Sequence, residues 1–228
     1  PDTTSLQLYA PKTTYKFTLQ GGGPANTGHN PLPGVIIDYY VPHGFTDSSE
    51  IKLEIYDLND KIIKTFSSKK PENFKTWPGG PTPPKPIPAK KGLNRTSWNF
   101  AKNDLPGVEN VMVLGSYAGS KVAPGEYKIR LSSDTMSLEQ KVQVLPDPRI
   151  DASPEDYKLQ QELLDKLENT FTDIHNSVTR LRKVKGQLNS KLEFIEKEED
   201  YTELKDKGNE TLDAIKKWEG QLIQPRQK

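Results

Sequence analysis

The 228-residue chain contains no cysteine, only three histidines and no apolar run long enough to span a bilayer. The missing cysteine removes disulfides, thiolate nucleophiles and cysteine-ligated zinc together. His29, His43 and His175 lie in a glycine-rich loop, a turn after Pro42 and a helical stretch, and none has a partner at ligand spacing. No metal or other cofactor is therefore expected. Residues 1–150 carry 18 basic and 14 acidic residues and residues 151–228 carry 14 and 17, with no basic stripe or stacking aromatic set, so nucleic acid is not an expected partner. The lack of a long apolar run argues against a membrane span. No signal peptide precedes Pro1, and both ends read as cut from a longer protein.

No catalytic constellation stands out either. Glycoside hydrolysis needs two carboxyl groups facing each other across a sugar, and Asp38, Glu54, Asp57 and Glu109 read as charges on the outer faces of strands and turns. No serine, histidine and acid are patterned as a triad. Gly21 to Gly28 lacks the Gly-Lys-Ser/Thr ending and the following helix of a phosphate loop. The chain reads as noncatalytic.

Two segments of contrasting composition are present. Residues 1–150 hold 17 of the 19 prolines and 13 of the 16 glycines, whereas residues 151–228 are dense in Leu, Glu and Lys. This is a β part followed by an α part. Within the first, residues 1–34 read as an N-terminal strand, Thr13 to Leu19, and a Gly/Pro-rich hinge or extended crossing. Residues 35–149 read as an immunoglobulin-like antiparallel β-sandwich with strands at Val35 to Val41, Ile51 to Asp57, Lys61 to Phe66, Asn94 to Phe100, Val108 to Leu114, Glu126 to Ser132 and Ser137 to Leu145. Ile51 to Phe66 is expected to form a hairpin about Asn59-Asp60. Pro124-Gly125 sets a type I or II turn into a strand that alternates Tyr127, Ile129 and Leu131 with Lys128, Arg130 and Ser132, and Trp98 reads as core. The loop 67–92 contains seven prolines and favours polyproline II.

Residues 150–228 are expected to form a long antiparallel helical hairpin or an incomplete helical bundle, with helices at about 154–198 and 202–223. Ser153 is the expected N-cap and Pro154 the first helical residue. Leu164, Leu167, Phe171, Ile174, Val178, Leu181, Leu188, Leu192 and Ile195 follow a three-four spacing broken by Lys185, and Leu204, Leu212, Ile215, Trp218 and Leu222 resume it. Two helices bury only one flank of such a stripe against each other, so a missing helix, a second copy or the β domain must cover the rest.

Four motifs in order carry a resemblance. They are Gly28-His29-Asn30-Pro31-Leu32-Pro33-Gly34 leading into Val35 to Pro42, Gly92-Leu93-Asn94-Arg95 leading to Trp98-Asn99-Phe100, Val122-Ala123-Pro124-Gly125-Glu126-Tyr127, and Asp147-Pro148-Arg149 before a helix. In this order the chain, from about Leu6 to its end, resembles the C-terminal region of large bacterial sortilin-like, Asp-box-repeat β-propeller proteins described as glycosyl hydrolases. Its immunoglobulin-like part is also similar to the domain of flagellar hook-capping proteins. Thr96-Ser97 before the Trp and the heavy proline insertion at 78 to 88 depart from that pattern and affect loops more than core.

The resemblance implies a secreted or periplasmic parent. Whether that parent is an enzyme stays open, since any hydrolytic site would lie in an upstream propeller outside this chain. The expected function is that of a noncatalytic accessory or scaffolding region serving domain spacing and protein interaction. Its expected partners are its own upstream propeller and, through the helices, a second copy. The alternative is a carbohydrate-binding or adhesive module, in which Trp77, flanked by Pro78 in the proline-rich loop, contacts a glycan. The candidate helix interface is Phe171, Ile174, Val178, Leu181 and Trp218.

Overall fold

The computed structural model describes residues 4–17, 32–45, 49–134 and 136–225. These residues form two β-sheets followed by a helical region of two helices. The strands are β1 (Gln7–Leu8), β2 (Thr14–Lys16), β3 (Val35–Val41), β4 (Lys52–Tyr56), β5 (Ile62–Ser67), β6 (Gly92–Trp98), β7 (Gly125–Ser132) and β8 (Ser137–Pro146). One sheet has the order β1-β3-β6 and the other β2-β8-β7-β4-β5. Every pairing is antiparallel except that of β2 with β8.

Period-two alternation makes these strands. In β3, Val35, Ile37, Tyr39 and Val41 are fully buried, while Ile36, Asp38 and Tyr40 keep partial exposure. A one-residue slip would turn Asp38 toward the core and unpair it from Arg95, whose Nε and Nη2 donate to it at 2.7 and 2.9 Å, so the register is strongly specified. Tyr127, Ile129 and Leu131 of β7 face the same core, and Leu53, Ile55, Val142 and Val144 join them from β4 and β8. The inward faces of both sheets therefore share one apolar cluster.

The two most informative motifs of the sequence meet in that cluster. Trp98 is fully buried, its Nε1 donates to the Ala101 carbonyl at 2.9 Å, and its ring stands edge-on to Phe100 and Tyr127 at 5.9 and 5.2 Å. The Tyr127 hydroxyl donates to the Ala123 carbonyl at 2.6 Å, closing the Pro124-Gly125 turn. Burial pushes its pKa up to about 12, with the Asp57 charge adding to the shift.

The expected hairpin is present. Asp57 Oδ1 accepts from the Asn59 and Lys61 backbone at 2.9 Å each, and Asp60 takes a left-handed φ of 61°. Asx acceptance and tolerance of that region are what place these residue types in tight turns.

The proline-rich stretch after β5 forms no strand before Gly92, yet it is not detached from the sheet. Ile87 is buried in the core, its backbone N–H donates to Ser67 O at 2.9 Å, and the Tyr39 hydroxyl donates to the Pro88 carbonyl. Asn103 similarly accepts from Thr65 N through its side chain at 3.0 Å and donates its own N–H to Ile63 O at 2.8 Å. These contacts occupy the outer side of β5, an edge that would otherwise present unpaired backbone groups.

The expected strand at Val108 to Leu114 does not form. Asn110 adopts φ 57° and Gly115 φ 136°, which interrupt an extended run, and the stretch makes only an isolated bridge from Val111 to Pro225 with Met112 N donating to Gln224 O at 2.9 Å. Strand β1, which the sequence reading missed, pairs through two residues only. The expected strand at Thr13 to Leu19 is observed as Thr14–Lys16, and its last two residues, together with the glycine-rich hinge through Pro31, lie outside the described residues.

The helices are α1 (Pro154–Phe194) and α2 (Thr202–Leu222), with a short 3-10 helix at Glu199–Tyr201 before α2. Ser153 and Asp156 cap α1 reciprocally: Ser153 N donates to Asp156 Oδ2 at 2.8 Å and Asp156 N to Ser153 Oγ at 3.2 Å.

The described residues fall into two compact units. One lies within Pro1–Lys75, Pro83–Asn103 and Ala118–Asp165, the other within Thr76–Thr82, Asp104–Tyr117 and Lys166–Lys228. The second has its own core of Val108, Val111, Val178 and Ile223, with Val113 and Ile174 packed against it.

Candidate functional site

The five helix-interface candidates divide into two groups. Ile174 and Val178 are covered by Val108, Val111, Val113 and Ile223. Phe171 lies 4.0 Å from the His175 ring and edge-on to Tyr117 at 6.1 Å. The Asp104–Tyr117 segment thus covers this part of the helical stripe. Leu105 N closes the segment on Tyr117 O at 2.6 Å, and the Arg182 guanidinium holds it by donating to the Glu109 carbonyl and to Glu219 Oε1, the latter at 2.7 Å. Sequence reasoning assigned Val108 to Leu114 to a strand and so missed its role in covering the helices.

Leu181 and Trp218 remain on an open surface. With Val184, Ile215 and Leu222 they line a mostly apolar groove of about 610 Å³, and the Trp218 side chain is 55 % exposed. Leu192 packs directly on Gly208, where a Cβ would come within 2.6 Å of a Leu192 methyl group.

Trp77 sits in a turn of the second unit, half-buried. Its indole lies over Gly80 and Gly107, where a Cβ would fall 2.5 and 2.9 Å from the ring. Its Nε1 is buried and has no hydrogen-bond partner among the described residues.

His175 is buried, and its Nδ1 lies 2.8 Å from Pro106 O. A carbonyl only accepts, so Nδ1 carries the proton. Burial lowers the His175 pKa despite that bond. His43 is exposed, and His29 lies outside the described residues. Among the described residues no three His, Cys, Asp or Glu side chains gather as a metal site.

The carboxylates weighed for glycoside chemistry are spread out, each with a local structural role. Asp38 pairs with Arg95, Glu54 accepts from the Tyr56 hydroxyl at 2.8 Å, Asp57 anchors the hairpin turn, and Glu109 lies in the covering segment.

A second concavity, of about 750 Å³, lies in the first unit where the end of β2 approaches the start of α1. Lys16 and Phe17 line it from β2, Lys121 from the loop before β7, and Tyr157 and Gln160 from α1. Beside them, Arg149 donates through Nε and Nη2 to Asp147 at 2.9 and 2.6 Å, and its guanidinium lies 5.8 Å from the Phe17 ring centre. The Arg149 side-chain and backbone donors hold the Asp147 carboxyl down at about 2. No protein-family model, curated protein or solved structure matches the chain.

Proposed function

We propose that the chain is a noncatalytic accessory region of a larger secreted or periplasmic protein of the sortilin-like propeller kind, serving domain spacing and protein interaction. In this reading the β part is an immunoglobulin-like sandwich and the α part an antiparallel hairpin. The shared core of the two sheets supports the first. The contacts of Arg182 with Glu219 and of Leu192 with Gly208 support the second, since one partner's number falls as the other's rises.

The observation that carries the interaction role is the apolar surface left along the helices. Leu163, Leu167, Val184 and Phe194 of α1 and Leu204 and Trp218 of α2 are between 49 % and 85 % exposed. A contiguous exposed apolar patch marks an interaction site, and Val184 and Trp218 share one groove with Leu181 and Leu222. Helix α1 alone, at 41 residues, would extend about 60 Å at ~1.5 Å per residue, a length suited to a spacer.

The test pairs two measurements on the purified chain. Sedimentation velocity over rising concentration is expected to show association that Trp218→Lys reduces, and a panel of aryl glycosides is expected to remain intact. Hydrolysis that disappears when a carboxylate is substituted overturns the noncatalytic reading. A strict monomer at high concentration removes self-association as the interaction.

A further inference from the structure

We propose that the groove at the end of β2 binds a doubly charged oxyanion, a phosphate or sulfate group, between the ammonium groups of Lys16 and Lys121. This goes beyond the spacing role and rests on different residues.

The carboxylates lining the groove are already engaged: Asp147 by the Arg149 side chain and backbone, Asp156 by the Ser153 backbone and hydroxyl. The ammonium groups of Lys16 and Lys121 have no hydrogen bond or ion pair among the described residues, and the stretch that follows Lys16, residues 18–31, contains no Asp or Glu. Ser153 is neutral, so Asp156 keeps its negative charge; Lys16, Lys121 and Arg149 against Asp147 and Asp156 leave the concavity one net positive charge. Burial, and then the charge of Lys121, lower the Lys16 pKa, the direction expected for a cation that lacks an anionic partner.

The remaining wall fits the same ligand. Tyr157 and Gln160 line the groove and their side chains make no hydrogen bond among the described residues, so neutral donor groups accompany the two cations. Arg149 is the third positive group, but Asp147 neutralises it, which leaves the lysine pair facing the single charge of Asp156. A volume of about 750 Å³ exceeds what a bare oxyanion fills and falls within the ~300–1,000 Å³ usual for small-molecule sites, so an anionic group carried on an organic body would also fit.

The experiment is thermal unfolding and isothermal titration of the full chain with sodium phosphate, sodium sulfate and glucose 6-phosphate, against sodium chloride at matched ionic strength. The expected result is a saturable rise in Tm with the oxyanions and not with chloride, as linkage requires of a ligand that binds only the folded state. Tighter binding of glucose 6-phosphate than of phosphate would assign the site to an organic ester, and equal binding to the free ion. Lys16→Met or Lys121→Met should weaken binding at least tenfold and the double variant should abolish it, while Lys91→Met, an exposed lysine outside the groove, should leave it unchanged. Each single variant should also equal or exceed the parent in Tm without ligand, because it relieves like-charge repulsion, so loss of binding is separable from loss of folding. A Tm rise that chloride reproduces, or binding that survives in the double variant, overturns the proposal.

Discussion

Replacing Gly34 with alanine isolates one structural demand of the sheet region. Gly34 sits just before β3 at φ 91°, and a Cβ there would fall 2.7 Å from Trp98 C and 2.8 Å from Asn99 Cα, and closer still to the Trp98 carbonyl oxygen. All three atoms are backbone, so no side chain can swing away. The clash lies at the Val35–Trp98 end of the β3/β6 ladder, beside a fully buried aromatic of the core. The left-handed torsion costs about 1–2 kcal/mol in any L-residue. Overpacking against a fixed backbone adds about 1–3 kcal/mol. Gly92 provides the control, since it has a comparable φ of 97° but no atom within 4 Å of an added Cβ. Gly44, with no positive φ and open space, provides the baseline. Urea unfolding followed by tryptophan fluorescence should therefore order the variants Gly44→Ala, Gly92→Ala, Gly34→Ala in increasing loss. Gly44→Ala should fall within about 0.5 kcal/mol of the parent. Gly92→Ala should lose only the torsional ~1–2 kcal/mol. Gly34→Ala should lose both contributions, ~2–5 kcal/mol in all, a large share of a domain's usual 5–15 kcal/mol. A Gly34→Ala variant no less stable than Gly92→Ala would refute the steric part of this reasoning.

Trp98→Ala should cost about 3–5 kcal/mol and Trp98→Phe about 1–3, because phenylalanine keeps most of the burial but leaves the Ala101 carbonyl without its indole donor; the same urea assay reads both. Asp147 has a pKa depressed by the Arg149 donors, so its contribution to stability is complete above the ordinary carboxylate pKa and is lost as pH falls toward about 2. Thermal unfolding from pH 6 to pH 2 should fall less steeply in Asp147→Asn than in the parent, and identical slopes would exclude the pair as an acid-sensitive contact. His175 has a pKa lowered by burial, so the folded state resists its protonation and the second unit should lose stability as pH falls below about 6.5. That loss should be smaller in His175→Gln, as read by hydrogen exchange of the α1 amides around Val178 at pH 7.5 and pH 5.5.

Much of the architecture was legible along the chain because it follows from local backbone geometry. A period of two marks β3 and β7 whatever they pair with, Asp57, Asn59 and Asp60 carry their own turn chemistry, and Ser153 with Pro154 signals the start of α1. The core role of Trp98 was readable for the same reason, since it ends an alternating strand.

What escaped the sequence reading depends on which faces meet. Val108 to Leu114 looks like a strand in isolation, but its valines bury themselves against Val178 and Ile223, so a long-range apolar contact outweighed a local β tendency. Ile87 looks like part of a solvated proline run until Ser67 takes its N–H. The Trp77 ring rests on two glycines, one of them 30 residues away along the chain, a neighbourhood that no local pattern announces. Lys16 and Lys121 are ordinary lysines in sequence, far apart and unremarkable in spacing. Only folding brings them to one groove, because a charge constellation is a property of tertiary proximity, whereas strand and helix periods are properties of the chain itself.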